Sequence, residues 1–125
     1  MSLEFLTEVL REHARIEFRG SYAFTDLMKQ IENIKAAAAE ASRDHILIDC
    51  RSIEGTMTES EKFFVGSHIA EVFGNRLKAV ALMPPGSVTK LGEMAAVNRG
   101  ATFFVTESEE EALNWLNPQS LETGV

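Results

Sequence analysis

The stretch from Ile46 to Gly74 constrains the fold more than any other part of the chain. It opens with the short apolar run Ile46-Leu47-Ile48-Asp49-Cys50, which ends on a carboxylate. A run with no polar alternation reads as a central strand covered on both faces. A loop of about eight residues follows, carrying glycine and hydroxyl groups. Thr58, with Glu61 three residues later, is the Ser/Thr-x-x-Glu signature of a helix start. There a hydroxyl and a carboxylate each satisfy a backbone N–H that the helix leaves free. At helical spacing Val65, Ile69, Val72 and Phe73 share one side, Phe63, Gly66 and Ala70 extend it, and Phe64 falls nearly opposite. Gly74 ends the helix. A strand that feeds a helix through such a loop is the unit of α/β proteins, and its ligand edge lies where the strand ends.

The flanking sequence supplies the partners this unit needs. Leu3 to Val9 reads as a first strand, and Arg11-Glu12-His13 turns the chain into a second. In that second strand Ala14, Ile16 and Phe18 face one side and Arg15, Glu17 and Arg19 the other, so the pair forms an antiparallel hairpin. Thr25 or Asp26 is placed to cap a helix whose stripe is Leu27, Ile31, Ile34, Ala38 and Ala41, with Tyr22 and Phe24 anchoring its entry in the core. Lys78 to Met83 makes a fourth strand that Pro84-Pro85-Gly86 stops. Ser87 is then placed to cap a helix to Arg99, with Val88, Leu91 and Ala95 inward and Gly100 after its end. Thr102 to Val105 forms a fifth strand. Ser108 and Glu111 repeat the capping signature before a short helix bearing Ala112, Leu113 and Leu116, with Trp115 at the sheet edge. This order predicts an α/β fold with a single mixed five-stranded sheet and about four helices. One domain spans 1–117, and 118–125 form a C-terminal tail.

Charge and composition remove several function classes. The chain of 125 residues is 45% hydrophobic and 25% charged, with a formal net charge of −7. That balance argues against nucleic acid, whose binding rests on neutralising phosphates, and against anionic lipid surfaces. The longest apolar runs are far too short for stable membrane insertion, and a basic-then-apolar leader is missing, so cytoplasmic residence is expected. The single cysteine, Cys50, reads as a packed thiol. His13, His45 and His68 stand apart without paired neighbours, which predicts no metal site and no cofactor.

The strand ends define a candidate binding edge. It gathers Arg51, Ser52, Glu54, Thr56, Met57, Thr58 and Ser60 from one loop, and Pro84, Pro85, Gly86, Ser87 and Thr89 from the next. Phe63 and Phe64 adjoin it on the following helix. Neither loop has the Gly-x-x-x-x-Gly-Lys pattern of a phosphate cradle. A Gly-x-Ser-x-Gly elbow is also missing, and the histidines lie outside this edge, His45 at the opposite end of its strand. Asp49 is read as an acceptor for loop amides, and Glu107, Glu109, Glu110 and Glu111 as a solvated helix start. The expectation is a protein without catalytic activity.

The layout resembles a known family. Ile48-Asp49 with Ile53, the hydroxyl-rich start Thr58-Glu59-Ser60, and Ala79-Val80-Ala81-Leu82-Met83-Pro84-Pro85 followed by Val88-Thr89-Lys90-Leu91-Gly92-Glu93 carry the resemblance. Asn98-Arg99-Gly100 and Glu110-Glu111-Ala112-Leu113-Asn114-Trp115-Leu116 complete it, so that it spans Leu3 to Leu116. Together they look like the SpoIIAA-like branch of the STAS superfamily, the sulphate transporter and anti-sigma factor antagonist domains. The resemblance implies a non-enzymatic fold related to lipid-carrying Sec14-type domains. Antagonists of the superfamily bind a kinase-type anti-sigma factor and are switched by phosphorylation of a serine at the start of the second helix. By position Thr58 matches that serine, with Ser60 close by, although the family's Asp-Ser-Ser-Gly is Met57-Thr58-Glu59-Ser60 here.

Three functions follow as expectations. The first is a regulatory module that binds another protein, or itself as a homodimer through the edge of the first hairpin, with Phe64 on the partner surface. The second is a carrier of a small apolar, lipid-like ligand in a cavity lined by Met57, Phe63, Phe73, Met83 and Met94. The third is a small hydrolase or transferase using hydroxyls between Thr56 and Ser60.

Overall fold

The structure, a computed structural model, describes residues 2–118. Apart from Pro118, the expected tail lies outside these residues. The elements are β1 (Glu4–Val9), β2 (Ala14–Ser21), α1 (Phe24–Ala41), β3 (His45–Asp49), β4 (Ile53–Glu54), α2 (Glu59–Phe73), β5 (Lys78–Leu82), α3 (Leu91–Asn98), β6 (Thr102–Thr106) and α4 (Glu109–Leu116). The sheet runs β1-β2-β3-β5-β6, with β1 antiparallel to β2 and every later neighbour parallel. These are the five strands and four helices expected from the sequence, together with one element it did not reveal. That element, β4, pairs its two residues with Gly20 and Ser21 at the far end of β2.

Alternation along the strands sorts the core into two layers. Ala14, Ile16 and Phe18 of β2, with Ile46 and Ile48 of β3, point to one face. There they meet Leu27, Ile31 and Ile34 of α1 and Val65, Ile69 and Phe73 of α2. Leu47, Val80 and Leu82 point the other way, against Ala112 and Leu116 of α4. β3 is therefore buried on both sides, and its uninterrupted apolar run follows from that position. Trp115 stacks on Phe104 with ring centroids 5.3 Å apart, and Lys78 lies over its ring.

Helix starts depart from expectation in two places. α1 begins at Phe24 after Ala23, and neither Thr25 nor Asp26 caps it. Tyr22 and Phe24 pack against the core as anticipated. Ser87 caps no helix: its hydroxyl donates to the Pro84 carbonyl at 2.6 Å, closing a turn, and α3 starts only at Leu91. Lys90 precedes α3 with a φ of 66°, a left-handed conformation that lets the chain enter the helix abruptly. The helix ends before Gly100, whose φ of 96° suits glycine.

α2 and α3 approach closely because glycine sits at the crossing. A Cβ added to Gly66 would lie 2.1 Å from the Gly92 carbonyl oxygen. One at Gly92 would lie 3.1 Å from the Lys62 carbonyl oxygen. The two helices form one slab over β3, β5 and β6.

Candidate functional site

The carboxyl ends of β3 and β5 bring the two predicted loops to a common rim. Thr58 is the N-cap of α2 and completes the capping box: the Glu61 N–H donates to Thr58 Oγ1 at 3.2 Å, and the Thr58 N–H donates to Glu61 Oε1 at 2.9 Å. Thr56, Thr58 and Ser60 are exposed. The second loop is tied to this helix start by Lys62. Its ammonium donates to the Ser87 carbonyl at 3.1 Å and to Thr89 Oγ1 at 3.2 Å, and lies 3.4 Å from Glu59 Oε1. Thr89 Oγ1 also donates to Glu59 Oε2 at 3.2 Å. Pro84 and Ser87 are half-buried beside this tie, while Pro85 and Gly86 stand exposed.

Below the rim lies a cavity of about 90 Å³ between the sheet and the α2–α3 slab. Ile48, Val65, Ile69, Ala81 and Phe103 border it, together with Cys50, Met57 and Met83 nearer the loops. Of the residues expected to line an apolar cavity, only Met57 and Met83 do so. Phe73 is packed in the core, Met94 is 57% exposed, and Phe63 turns its ring to Phe64 and Arg99. The volume is below the roughly 150 Å³ that admits benzene, and well below the roughly 300–1,000 Å³ of drug-sized ligand sites.

The outward side of the slab is apolar at separate points. Phe64 is 56% exposed on α2, and Met94 and Val97 are 57% and 48% exposed on α3. Phe64 meets Phe63 edge to face at 5.6 Å, and Arg99 covers the Phe63 ring at 4.9 Å. Phe64 was legible in the sequence as the residue opposite the buried stripe. Met94 was expected to line a cavity instead, and Val97 was not singled out.

On the opposite face of the sheet the strand ends carry a charge network. The buried Asp49 carboxylate accepts from Arg15 Nη2 at 2.6 Å and from the Arg51 side chain at 3.0 and 2.9 Å. It also accepts from the Arg51 backbone N–H at 3.0 Å, the loop-amide role expected for it. Burial pushes its pKa up, but the hydrogen bonds and charge of Arg51, with the charge of Arg15, outweigh burial and hold it below the ordinary value. Glu109 joins the same two arginines at 3.0 and 3.3 Å, and Glu107 Oε2 accepts from the Val88 N–H at 3.3 Å. The acidic run was expected to be a solvated helix start. Two of its members instead bind across the fold: the pairing of β2 with β3 brings Arg15 and Arg51 to Glu109, and that of β5 with β6 sets Glu107 near the loop that carries Val88.

Other reactive side chains lie apart from the rim or are held inert. The Cys50 thiol, on the cavity side, has its pKa pushed up to about 12 by burial and then by the Asp49 charge, so it stays protonated. His13 and His45 meet Asn117 at the amino end of the sheet, at 3.4 and 3.3 Å. His68 is half-buried between α1 and α2, with Nε2 3.0 Å from the Met28 carbonyl oxygen. Among the described residues, no three His, Cys, Asp or Glu side chains converge as metal ligands, and no helix is long and apolar enough to cross a membrane.

No family model matches the sequence, and no curated protein does. Solved structures do resemble the fold. An anti-sigma factor antagonist from Mycobacterium paratuberculosis superposes with a TM-score of 0.63 at 15% identity, covering 93% of this chain and 95% of its own. An uncharacterised protein of the DUF3478 family from Shewanella loihica, described as having a SpoIIAA-like fold, gives 0.55 at 15% identity over 92% and 94%. The anti-sigma factor antagonist SpoIIAA in its unphosphorylated form gives 0.53 at 19% identity over 98% of each chain. The chain therefore has the SpoIIAA-like, STAS-type fold that its residues resemble.

Proposed function

We propose that this chain is a non-catalytic regulatory module of the STAS type, acting in the cytoplasm by binding another protein. The partner is placed on the outward face of α2 and α3 and on the adjoining hydroxyl-bearing rim. The observation that carries this reading is the set of three large apolar side chains, Phe64, Met94 and Val97, left exposed on two helices locked together at Gly66 and Gly92. Apolar anchors on a rigid support are what protein interfaces use for most of their binding energy. The anti-sigma factor antagonists that share the fold lend the same direction to the reading.

Thr58 is assigned the role of structural cap. Its hydroxyl already accepts a hydrogen bond, and Glu59 and Glu61 flank it with negative charge that opposes an added phosphate. Two rim hydroxyls are engaged in structural bonds: Thr58 Oγ1 accepts from the Glu61 N–H, Thr89 Oγ1 donates to Glu59, and the histidines bond to groups elsewhere.

Affinity capture with quantitative mass spectrometry tests the surface. Proteins retained by the parent should be lost with Phe64→Glu and with Met94→Glu. They should be kept with Glu40→Gln, an exposed change on α1 away from the slab. Recovery of the same proteins by all three variants would show that this face is not the interface.

A further inference from the structure

The sheet has two outer strands, and they are finished differently. At β6 the backbone of Val105 is already engaged: its N–H donates to Glu93 Oε2 at 2.8 Å, and its carbonyl accepts from Lys90 Nζ. At β1 the nearest side-chain bonds come from Gln30 and Arg43, and they reach the carbonyls of Leu3 and Leu10, one residue outside each end. Among the described residues β1 has β2 as its single sheet neighbour. The Leu10 N–H bonds the His13 carbonyl at 2.9 Å in the β1–β2 turn. Bonded pairs alternate along an antiparallel ladder, so Glu4, Leu6 and Glu8 turn their backbone groups to β2. Phe5, Thr7 and Val9 turn theirs outward, away from it.

Side chains on the same strand say what would pair there. Glu4, Leu6 and Glu8 lie on the face that α4 leaves uncovered, and Leu6 is 56% exposed. Arg19 stands opposite Glu4 and Arg15 opposite Glu8. Both arginines are drawn elsewhere: Arg19 lies 3.7 Å from Glu17, and Arg15 is held by Asp49 and Glu109. Among the described residues, neither glutamate of β1 has an ion pair. A groove of about 430 Å³ follows the start of the strand, with Phe5, Gln30 and Asn33 on the helix side and Glu4, Leu6 and Arg19 on the other.

We propose that β1 is a docking edge for an extended segment of another protein, which adds to the sheet as a further strand. The segment carries a basic residue on either side of an apolar one at alternate positions, so that its cations meet Glu4 and Glu8 and its apolar side chain covers Leu6. Outward backbone groups supply the ladder, and the alternating side chains supply selectivity. A second copy of this chain fits less well. A two-fold pairing that set Leu6 against its own counterpart would set Glu4 against the Glu8 of the other copy, and like charges directly opposite are unfavourable.

Fluorescence anisotropy with a labelled, capped peptide Thr-Lys-Thr-Val-Thr-Lys-Thr, beside its counterpart with glutamate at both lysines, tests this edge. The basic peptide should bind saturably, weaken as salt rises, and shift the amide resonances of Phe5, Thr7 and Val9. The acidic peptide should bind at least about tenfold more weakly. Thr7→Pro removes an outward N–H and no bond to β2, so it should keep the parent circular dichroism and melting temperature and abolish binding. Glu4→Lys with Glu8→Lys should reverse the preference between the two peptides. Equal binding of both peptides, binding of neither, or amide shifts confined to α2 and α3 would overturn the proposal. So would self-association in sedimentation that Thr7→Pro abolishes, which would assign the edge to a second copy.

Discussion

Replacing Gly66 by alanine tests how far the α2–α3 slab depends on close backbone approach. The added Cβ would sit 2.1 Å from the Gly92 carbonyl oxygen, 2.9 Å from its carbon and 3.1 Å from the Ala95 Cβ. Carbon meets a carbonyl oxygen comfortably only at about 3.3 Å or more, so the two helices must part by roughly 1 Å. The obstructing oxygen belongs to the backbone at the start of α3 and has no rotamer by which to escape. Helix propensity acts in the opposite sense, since alanine in a helix interior is favoured over glycine by about 1 kcal/mol. Overpacking of a fitted interface costs typically 1–3 kcal/mol, and here it also pulls on the Lys62 tie to Ser87 and Thr89, so a net loss of about 1–2 kcal/mol is expected. In urea the midpoint should fall with an unchanged slope, and the melting temperature should drop by roughly 4–8 °C. Ser67→Ala, the next residue along, should stay within about 0.5 kcal/mol of the parent. If Gly66→Ala proved as stable as the parent, or more stable by the propensity difference, the close crossing would be refuted.

Two further outcomes follow from local chemistry. Thr58→Ala removes one arm of the capping box and should cost about 1 kcal/mol in urea unfolding, whereas Thr58→Ser should restore most of it; equal loss for both would show that the cap hydroxyl is not the cause. Asp49 is held below its ordinary pKa of 3.8, so its contribution is complete above that pH and is lost as the pH falls through the lower folded value. Asp49→Asn should therefore be less stable at neutral pH, by about 3 kcal/mol because two arginines lose a buried partner, and should show a flatter acid limb than the parent. A parallel acid limb in the variant would remove Asp49 as its source.

Features set within a few residues were legible in the sequence. The Thr58–Glu61 box, the apolar run of β3 and the alternation of Ala14, Ile16 and Phe18 each report their own surroundings, and right-handed crossovers supply most of the sheet order. What escaped depends on partners far along the chain. β4 exists because Ile53 and Glu54 meet Gly20 and Ser21, and two residues without that partner carry no periodicity. Ser87 has the chemistry of a cap, but the Pro84 carbonyl claims its hydroxyl and delays α3 to Leu91. Glu109 looked like one more carboxylate at a helix start, and only the placing of β2 beside β3 reveals the arginines that bind it.

Because β4 fastens the connector after β3 to the end of β2, that connector is moored at its middle as well as at both ends. The Tyr22 N–H adds a further fastening, donating to the Glu54 carbonyl at 2.7 Å. Each freely hinged residue that must be fixed upon association subtracts from affinity. A partner reaching Thr56, Met57 and Thr58 meets a segment whose shape is settled before contact, so most of the interaction is retained as binding strength rather than consumed in ordering the loop.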